Sequence, residues 1–434
     1  MQLFSDEELQ SFLSIPVRGF TRENSRPFNA WRKSHSGNID KVITVIIDNM
    51  KHNGYLMTSK KEAAYRIVYK RIILDLFIAY SQDKSMTVHI GRADSNYSNG
   101  TEYHQAGLRY TSTINVIEHL WNMGLIHMSR GQHDSPEGKE LNRGTMAAES
   151  KLIDLIRATG LSPKEIHIDK PEIILRDASG RVVEHKETRQ VKQWKANVKA
   201  INEHISKTDV TLDLTELERA ALLTERGHLP DLTANRLYRV FKHDFAQGGR
   251  FYGHWIQGLS PELRGRVLID GESIVELDFC NIHARLAYSI AGAAAPAGDL
   301  YQINDATPGQ REIAKKALLL GFNADTPTRL CRAVANEFRK KHICLKWDQI
   351  REVIAGVSAK HKAIKGFIGS GIGLQLQFID SQICEHVLLD LMSKEIVALP
   401  IHDSFLVQRR HENELHQAMN EASKRTIGVE IPIK

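Results

Sequence analysis

Apolar positions recur at helix-like intervals through the first part of this chain and contract to short buried runs in the last part. Between residues 39 and 83, Val42, Val45, Ile46, Ile67, Ile72, Ile73 and Leu76 keep helical spacing, so this stretch is predicted to be helical. Ser95-Asn-Tyr-Ser-Asn-Gly100 reads as a turn-rich loop. The stretch from Thr111 to Ile126 follows as a helix that Thr111 or Ser112 would cap and Gly124 would end, and Leu125-Ile-His-Met128 opens a strand. Helix, glycine, short strand and a polar stretch from Ser129 to Arg143 have the layout of a winged helix, with an ordinary helical bundle as the competing reading. In the winged form Asn115, His119 and Arg130 would face a duplex.

The pattern changes after residue 170. In Glu172 to Glu184, two apolar strands flank Asp177-Ala-Ser-Gly180, which predicts a hairpin. A basic helix from Lys186 to His204 interleaves Arg189, Lys192, Lys195 and Lys199 with Val191, Trp194 and Val198, a pattern that also fits a surface helix packed through its apolar residues. Ser273-Ile-Val-Glu-Leu277 reads as a buried strand closing on Asp278, after which Ile282, Leu286, Ala287 and Ile290 become helical. The run Ile396 to Ile401 leads to His402-Asp403-Ser404, and Phe405-Leu-Val407 resumes an extended apolar run, as a hairpin would.

An isolated aspartate at a strand end is ordinarily a turn former or helix cap. Two of them, far apart in sequence and each beside an apolar run, are what a pair of hard divalent cations clamping a phosphoryl transfer requires. Between them, Gln310 to Asn323 is helical, with Arg311 and Lys315 four apart on one face, a spacing that suits a triphosphate and equally a solvated surface. Upstream, the glycine-rich loop Gly248-Gly-Arg-Phe-Tyr-Gly253, with Trp255, Gln257, Pro261 and Arg264 after it, offers flexible backbone, cations and aromatic surface. Gly369-Ser-Gly-Ile-Gly373 is a weak phosphate signal, because no strand precedes it.

Composition adds bounds. The 434 residues, 42% hydrophobic and 25% charged, suit two or three globular domains and exclude global disorder. The net charge of +6 mildly favours a polyanionic partner. Four scattered cysteines, an acidic first segment and the lack of a membrane-length apolar run predict a soluble protein in a reducing cytoplasm, with no membrane partner.

Taken in order, these segments resemble the polymerase core shared by family A DNA polymerases and single-subunit phage-type RNA polymerases. Gly249-Arg-Phe251 with Gln257, Pro261 and Arg264 is similar to the segment that precedes the first catalytic strand and contacts primer-template. Asp278 with Ile282 and Arg285 resembles motif A, Arg311 with Lys315 the nucleotide-binding helix, and His402-Asp403 motif C. The resemblance covers roughly 233 to 434. It implies an α+β right-hand fold of palm and fingers over 233–434 with a hairpin and basic thumb-like segment over 166–232; the pattern of the first part adds the expectation of a mainly helical, winged-helix-like nucleic-acid-binding region over 1–165.

It further implies two magnesium or manganese ions held by Asp278, Asp403 and the Phe279 carbonyl, with Lys315 and Arg311 on the triphosphate. Arg250, Tyr252, Gln257, Arg264, Arg285, Gln377 and His402 would touch nucleic acid. Two departures matter. His283 stands where DNA polymerases of this family place a glutamate that excludes the ribose 2′-hydroxyl, and is read either as a sugar contact or as a helix-start side chain; Asn323-Ala324 stands where the family has Tyr-Gly, so that either Phe322 supplies base stacking after a small register change or nucleotide selection is loose.

The implied activity is a magnesium-dependent transferase, a DNA-directed DNA polymerase for replication, acting on primer-template or duplex DNA and nucleoside triphosphates. Its alternatives are a single-subunit RNA polymerase or primase, suggested by His402-Asp403-Ser404, and a non-catalytic DNA-binding replication or regulatory protein with a degenerate core.

Overall fold

The computed structural model describes residues 25–129, 144–226, 228–303 and 308–434. The fold is mixed α+β, and the chain divides into two compact units, one of residues 1–171 with 213–236 and the other of 172–212 with 237–434.

In the first unit the helical stretch near the start is two helices, α1 (Asn38–His52) and α2 (Ser59–Gln82). The Thr58 hydroxyl caps α2 by accepting the Lys61 N–H, and α2 buries Val68, Tyr69, Ile72, Ile73 and Leu76. Strands β1 (Ser25–Pro27), β3 (Thr87–His89), β4 (Ile126–Ser129) and β5 (Thr145–Ala148) form one sheet in the order β1-β3-β5-β4, while β2 (Arg32–Ser34) pairs with β6 (Ile166–Ile168). Helices α3 (Tyr110–Asn122) and α4 (Ser150–Ala158) complete the unit's main helices.

Two expectations meet a different outcome here, and a third lies outside the described residues. Helix α3 starts after Arg109, so neither Thr111 nor Ser112 is its cap, although Gly124 does end it with φ 66° and β4 follows. Asn115 donates to the Tyr65 hydroxyl at 2.8 Å, and His119 lies 3.3 Å from the Tyr69 hydroxyl with its ring against Tyr55, so both turn onto α2 and its neighbours rather than toward a duplex. Arg130 and the polar stretch after Ser129 lie outside the described residues.

A buried ionic knot organises this unit. Asp75 on α2 is completely enclosed, accepts from Arg26 at 2.9 and 3.1 Å, and pairs with Arg32. Arg32 also grips Asp231 and Thr233, which fastens the returning segment 213–236 to this unit. Of the span 166–232, residues 172–212 belong to the second unit and 166–171 with 213–232 to the first.

The second unit holds two sheets. Strands β7 (Ile173–Arg176) and β8 (Val182–Val183) are the hairpin read from the sequence; the Asp177 carboxylate accepts the N–H groups of Ser179 and Arg181 and so closes the turn. With β10 (Tyr238–Lys242) and β11 (Asp244–Tyr252) they form the order β11-β10-β7-β8. The other sheet runs β14-β15-β13-β12-β9, from β9 (Val210–Leu212), β12 (Val267–Ile269), β13 (Glu272–Asp278), β14 (Leu399–Ile401) and β15 (Ser404–Gln408).

Around these sheets lie α5 (Arg189–Ile205), α6 (Ile282–Ile290), α7 (Pro308–Gly321), α8 (Pro327–Arg339), α9 (Trp347–Lys360), α10 (Gly373–Ser393) and α11 (Glu412–Ile427). The basic helix α5 docks through buried Trp194, stacked 4.8 Å from Phe241, and leaves Arg189, Lys192 and Lys199 in solvent. Arg239 joins three elements, since it donates to Glu385 at 2.7 Å on α10 while Glu385 also accepts from Asn197 of α5 at 2.8 Å.

The glycine loop before α10 has a structural task. The N–H groups of Gly369, Gly371 and Gly373 donate to the carbonyls of Gly321, Ala324 and Phe322 at 2.7, 2.8 and 2.7 Å. They satisfy backbone acceptors left over at the end of α7, with Gly369 and Gly371 in the left-handed region that such a cap needs.

Candidate active site

Asp278 is the last residue of β13, and β13 runs antiparallel to β15 with Asp278 opposite Ser404. Strands β14 and β15 pair Ile401 with Ser404, which leaves His402-Asp403 as a two-residue turn, and the Phe279 N–H donates to the Asp403 carbonyl at 3.3 Å. Strand pairing thus brings together two aspartates separated by 125 positions in the chain. His402 takes φ 59° at the first turn position, where two-residue hairpins favour positive φ and a side chain other than glycine is strained. Its ring stands edge-on to Tyr252 at 5.6 Å.

The two carboxylates raise one another's proton affinity, and nearby cations compensate them only in part. Burial pushes the Asp403 carboxyl up to about 6, with Asp380 and then Asp278 adding to the effect and Arg250 opposing it. Burial also raises Asp278, against the opposing pull of the Lys434 ammonium, whose Nζ lies 3.0 Å from Oδ2.

Behind Asp403, Asp380 of α10 is fully buried and receives Arg250 through Nε at 2.7 Å and Nη2 at 2.6 Å. Burial acts to raise the Asp380 carboxyl, but Arg250 and His283 outweigh it and hold it below the ordinary carboxylate range. Arg250 Nη2 also lies 2.8 Å from His283 Nε2. Local backbone makes this possible: a bulge in β10–β11 lets Gly248 and Gly249 adopt φ 75° and 80°, and a Cβ on Gly249 would stand 2.8 Å from Phe241 and 2.9 Å from the Ser381 hydroxyl.

Arg311 and Lys315 on α7 both approach the ring of Tyr301, at 5.8 and 5.9 Å. Burial pushes the Tyr301 phenol up to about 12; Asp299 adds, Arg311 opposes, and Asp403 and Asp278 add further. Tyr301 therefore stands within electrostatic reach of both aspartates and of the cationic helix face. Nothing in Gly298-Asp-Leu-Tyr301 marks it in the sequence. Arg311 is ion-paired with Asp299, whereas Lys315 has no ion pair among the described residues.

Other residues singled out from the sequence sit differently. Phe322 is fully buried and presents no face to a base, because its ring fills the core beneath the glycine cap. Asn323 is exposed and donates to the Leu319 carbonyl at 3.1 Å. Gln257 donates to the carbonyls of Phe251 and Pro400 at 3.1 and 2.9 Å and accepts the Gly253 N–H at 3.0 Å, so it fastens the end of β11, read from the sequence as a loop, to β14. Arg264 is bidentate on Glu276 at 2.7 and 2.9 Å, and Arg285 donates to the Cys280 carbonyl at 3.1 Å. Gln377 is half-buried on α10, one turn before Asp380.

Among the described residues, no group of three or more histidine, cysteine, aspartate or glutamate side chains is gathered to hold a metal ion. Two close carboxylates, one of them with strongly raised proton affinity, nevertheless match the donor chemistry of magnesium, which takes one or two carboxylates and completes its shell with water and substrate phosphate. No helix among the described residues is long and apolar enough to cross a membrane.

No protein-family model and no curated protein matches the chain. Among solved structures it is similar to the POL domain of Pol1 from M. smegmatis in complex with DNA primer-template and dNTP, at 11% identity and a TM-score of 0.35. The match covers 93% of this chain, which spans just 66% of that one, and the likeness is distant and coarse.

Proposed function

We propose that this chain is a template-directed nucleic-acid polymerase, with DNA polymerase as the leading form, built on palm-, fingers- and thumb-like parts. The observation that carries the proposal is the meeting of Asp278 and Asp403 on paired strands, with the Arg311–Lys315 face grouped about Tyr301 within their field.

In this reading Asp278, Asp403 and the Phe279 carbonyl would hold two magnesium or manganese ions, which would supply charge stabilisation to the attacking and leaving oxygens. The 3′-hydroxyl of a growing strand gives its proton to solvent and attacks the α-phosphorus of the nucleotide, the bond from that phosphorus to the bridging oxygen breaks, and pyrophosphate leaves. Lys315 neutralises charge developing on the triphosphate, and Arg311 holds the outer phosphate once it leaves Asp299. His283, steadied by Arg250, faces the sugar of the incoming nucleotide, and Arg250 with Tyr252 and His402 supports the strand end. The exposed cations of α5 hold duplex backbone.

Extension of a labelled primer on DNA and RNA templates, with deoxynucleotides and ribonucleotides offered separately, tests the proposal. Growth that Asp278→Ala and Asp403→Ala abolish supports it. Preference for ribonucleotides assigns the RNA polymerase or primase form, which His402-Asp403-Ser404 suggests. Absence of growth under every pairing, together with tight duplex binding, replaces the proposal with a non-catalytic DNA-binding protein.

A further inference from the structure

The stretch Ile431 to Lys434 runs antiparallel beside the end of β13. Cys280 N–H donates to the Pro432 carbonyl at 2.8 Å, Phe279 bridges to Ile433, and Ile431 is fully buried beneath. Asp278 and Lys434 exchange both backbone hydrogen bonds, each at 3.0 Å. Such a reciprocal pair places the two side chains directly opposite one another on the same face. The register of this short added strand, rather than the freedom of a long lysine side chain, sets the ammonium on the carboxylate at 3.0 Å.

From this geometry we infer that Lys434 is an internal competitor for the divalent cation at Asp278, a positioning residue that holds the carboxylate until the cation displaces it. The inference rests on the polymerase reading of Asp278. The ammonium satisfies one carboxylate oxygen with a single positive charge, in the place where a metal ion would supply two. An ion pair whose lysine side chain is 68% exposed contributes little to folding, so the pair is easily exchanged. Release needs only rotation of the side chain, since the backbone bonds of Lys434 and the Ile431 anchor remain in place. The freed ammonium stays beside the site, within reach of a phosphate oxygen.

Titration of the full chain with Mn2+, followed by the loss of free-ion electron paramagnetic resonance signal, tests this without any turnover. Lys434→Ala and Lys434→Gln are expected to tighten Mn2+ binding about two- to fivefold, the worth of a largely exposed ion pair, while Lys434→Arg keeps the native affinity. Primer extension by Lys434→Ala should then reach half-maximal rate at a correspondingly lower magnesium concentration. Unchanged or weaker Mn2+ binding in Lys434→Ala, with Asp278→Asn abolishing binding, overturns the competitor role and leaves the metal site standing. If Asp278→Asn binds Mn2+ as the native chain does, the metal reading of Asp278 falls and the competitor role falls with it.

Discussion

Asp380 receives both Nε and Nη2 of Arg250 on one carboxylate oxygen, at 2.7 and 2.6 Å, in the interior behind Asp403. Truncating one partner of a buried ion pair leaves the other charge without compensation. Asp380→Ala is therefore expected to cost about 3 kcal/mol of stability by denaturant unfolding, whereas Asp380→Asn, which keeps an acceptor, should cost less. Because Asp380 is also the strongest charged neighbour raising Asp403, the Asn variant should bring the Asp403 titration seen by carboxyl NMR back toward the ordinary carboxylate range.

The Asp403 carboxyl predicts a stability effect opposite in sign to its catalytic one. Its folded value, about 6, lies above the ordinary 3.8, so the native state binds the proton more tightly than the unfolded chain does. The penalty is full above pH 6 and is relieved as pH falls from 6 toward 4. Asp403→Asn should raise stability at pH 7 by on the order of 2 kcal/mol, with the gain vanishing near pH 4, while primer extension is lost. Thermal unfolding of both chains across this range checks it, and an equal or lower midpoint for the variant at pH 7 would contradict it.

Asp299 occupies the guanidinium that the proposed function assigns to the outer phosphate. Asp299→Asn removes the competing charge yet retains an oxygen to accept the Tyr301 N–H, a bond of 2.9 Å in the native chain. KM for the nucleotide should fall about two- to fivefold with little change in kcat, as expected for releasing a partly exposed ion pair. A raised KM would show that Asp299 orients Arg311 for the phosphate instead of masking it.

Gly249 has no room for a methyl group, and its φ of 80° disfavours any L side chain. Gly249→Ala should destabilise the fold by about 2 kcal/mol and displace Arg250. Loss of activity larger than the fraction unfolded, measured at a temperature where the variant remains folded, is the expected outcome.

Local chemistry made much of the frame legible from sequence. The apolar runs ending at Asp278 and flanking His402-Asp403 appear as β13, β14 and β15, and Asp177-Ala-Ser-Gly180 closes its hairpin, because short apolar runs bounded by turn formers have few other solutions. The Arg311–Lys315 spacing correctly anticipated a helix face, since helical periodicity alone places residues four apart together. Asp75 with Arg26 and Arg32, and Asp380 with Arg250 and His283, could not be read this way: each is a buried charge whose partners lie far along the chain, and no local pattern marks them.

By itself, then, the sequence determined the strands that end at Asp278 and flank His402-Asp403, the β7–β8 hairpin, the helices α5, α6 and α7, and which two carboxylates lie beside turns, whereas Gly248–Tyr252, read as a loop, is the end of strand β11. Tertiary structure alone decided that Phe322 is core while Tyr301 stands by the cations, that the Gly369–Gly373 loop caps α7, and that Lys434 rather than solvent meets Asp278. The physical reason is range. Periodicity and turn chemistry act over a few residues, whereas burial, desolvation and ion pairing depend on which distant surfaces the packed chain brings into contact.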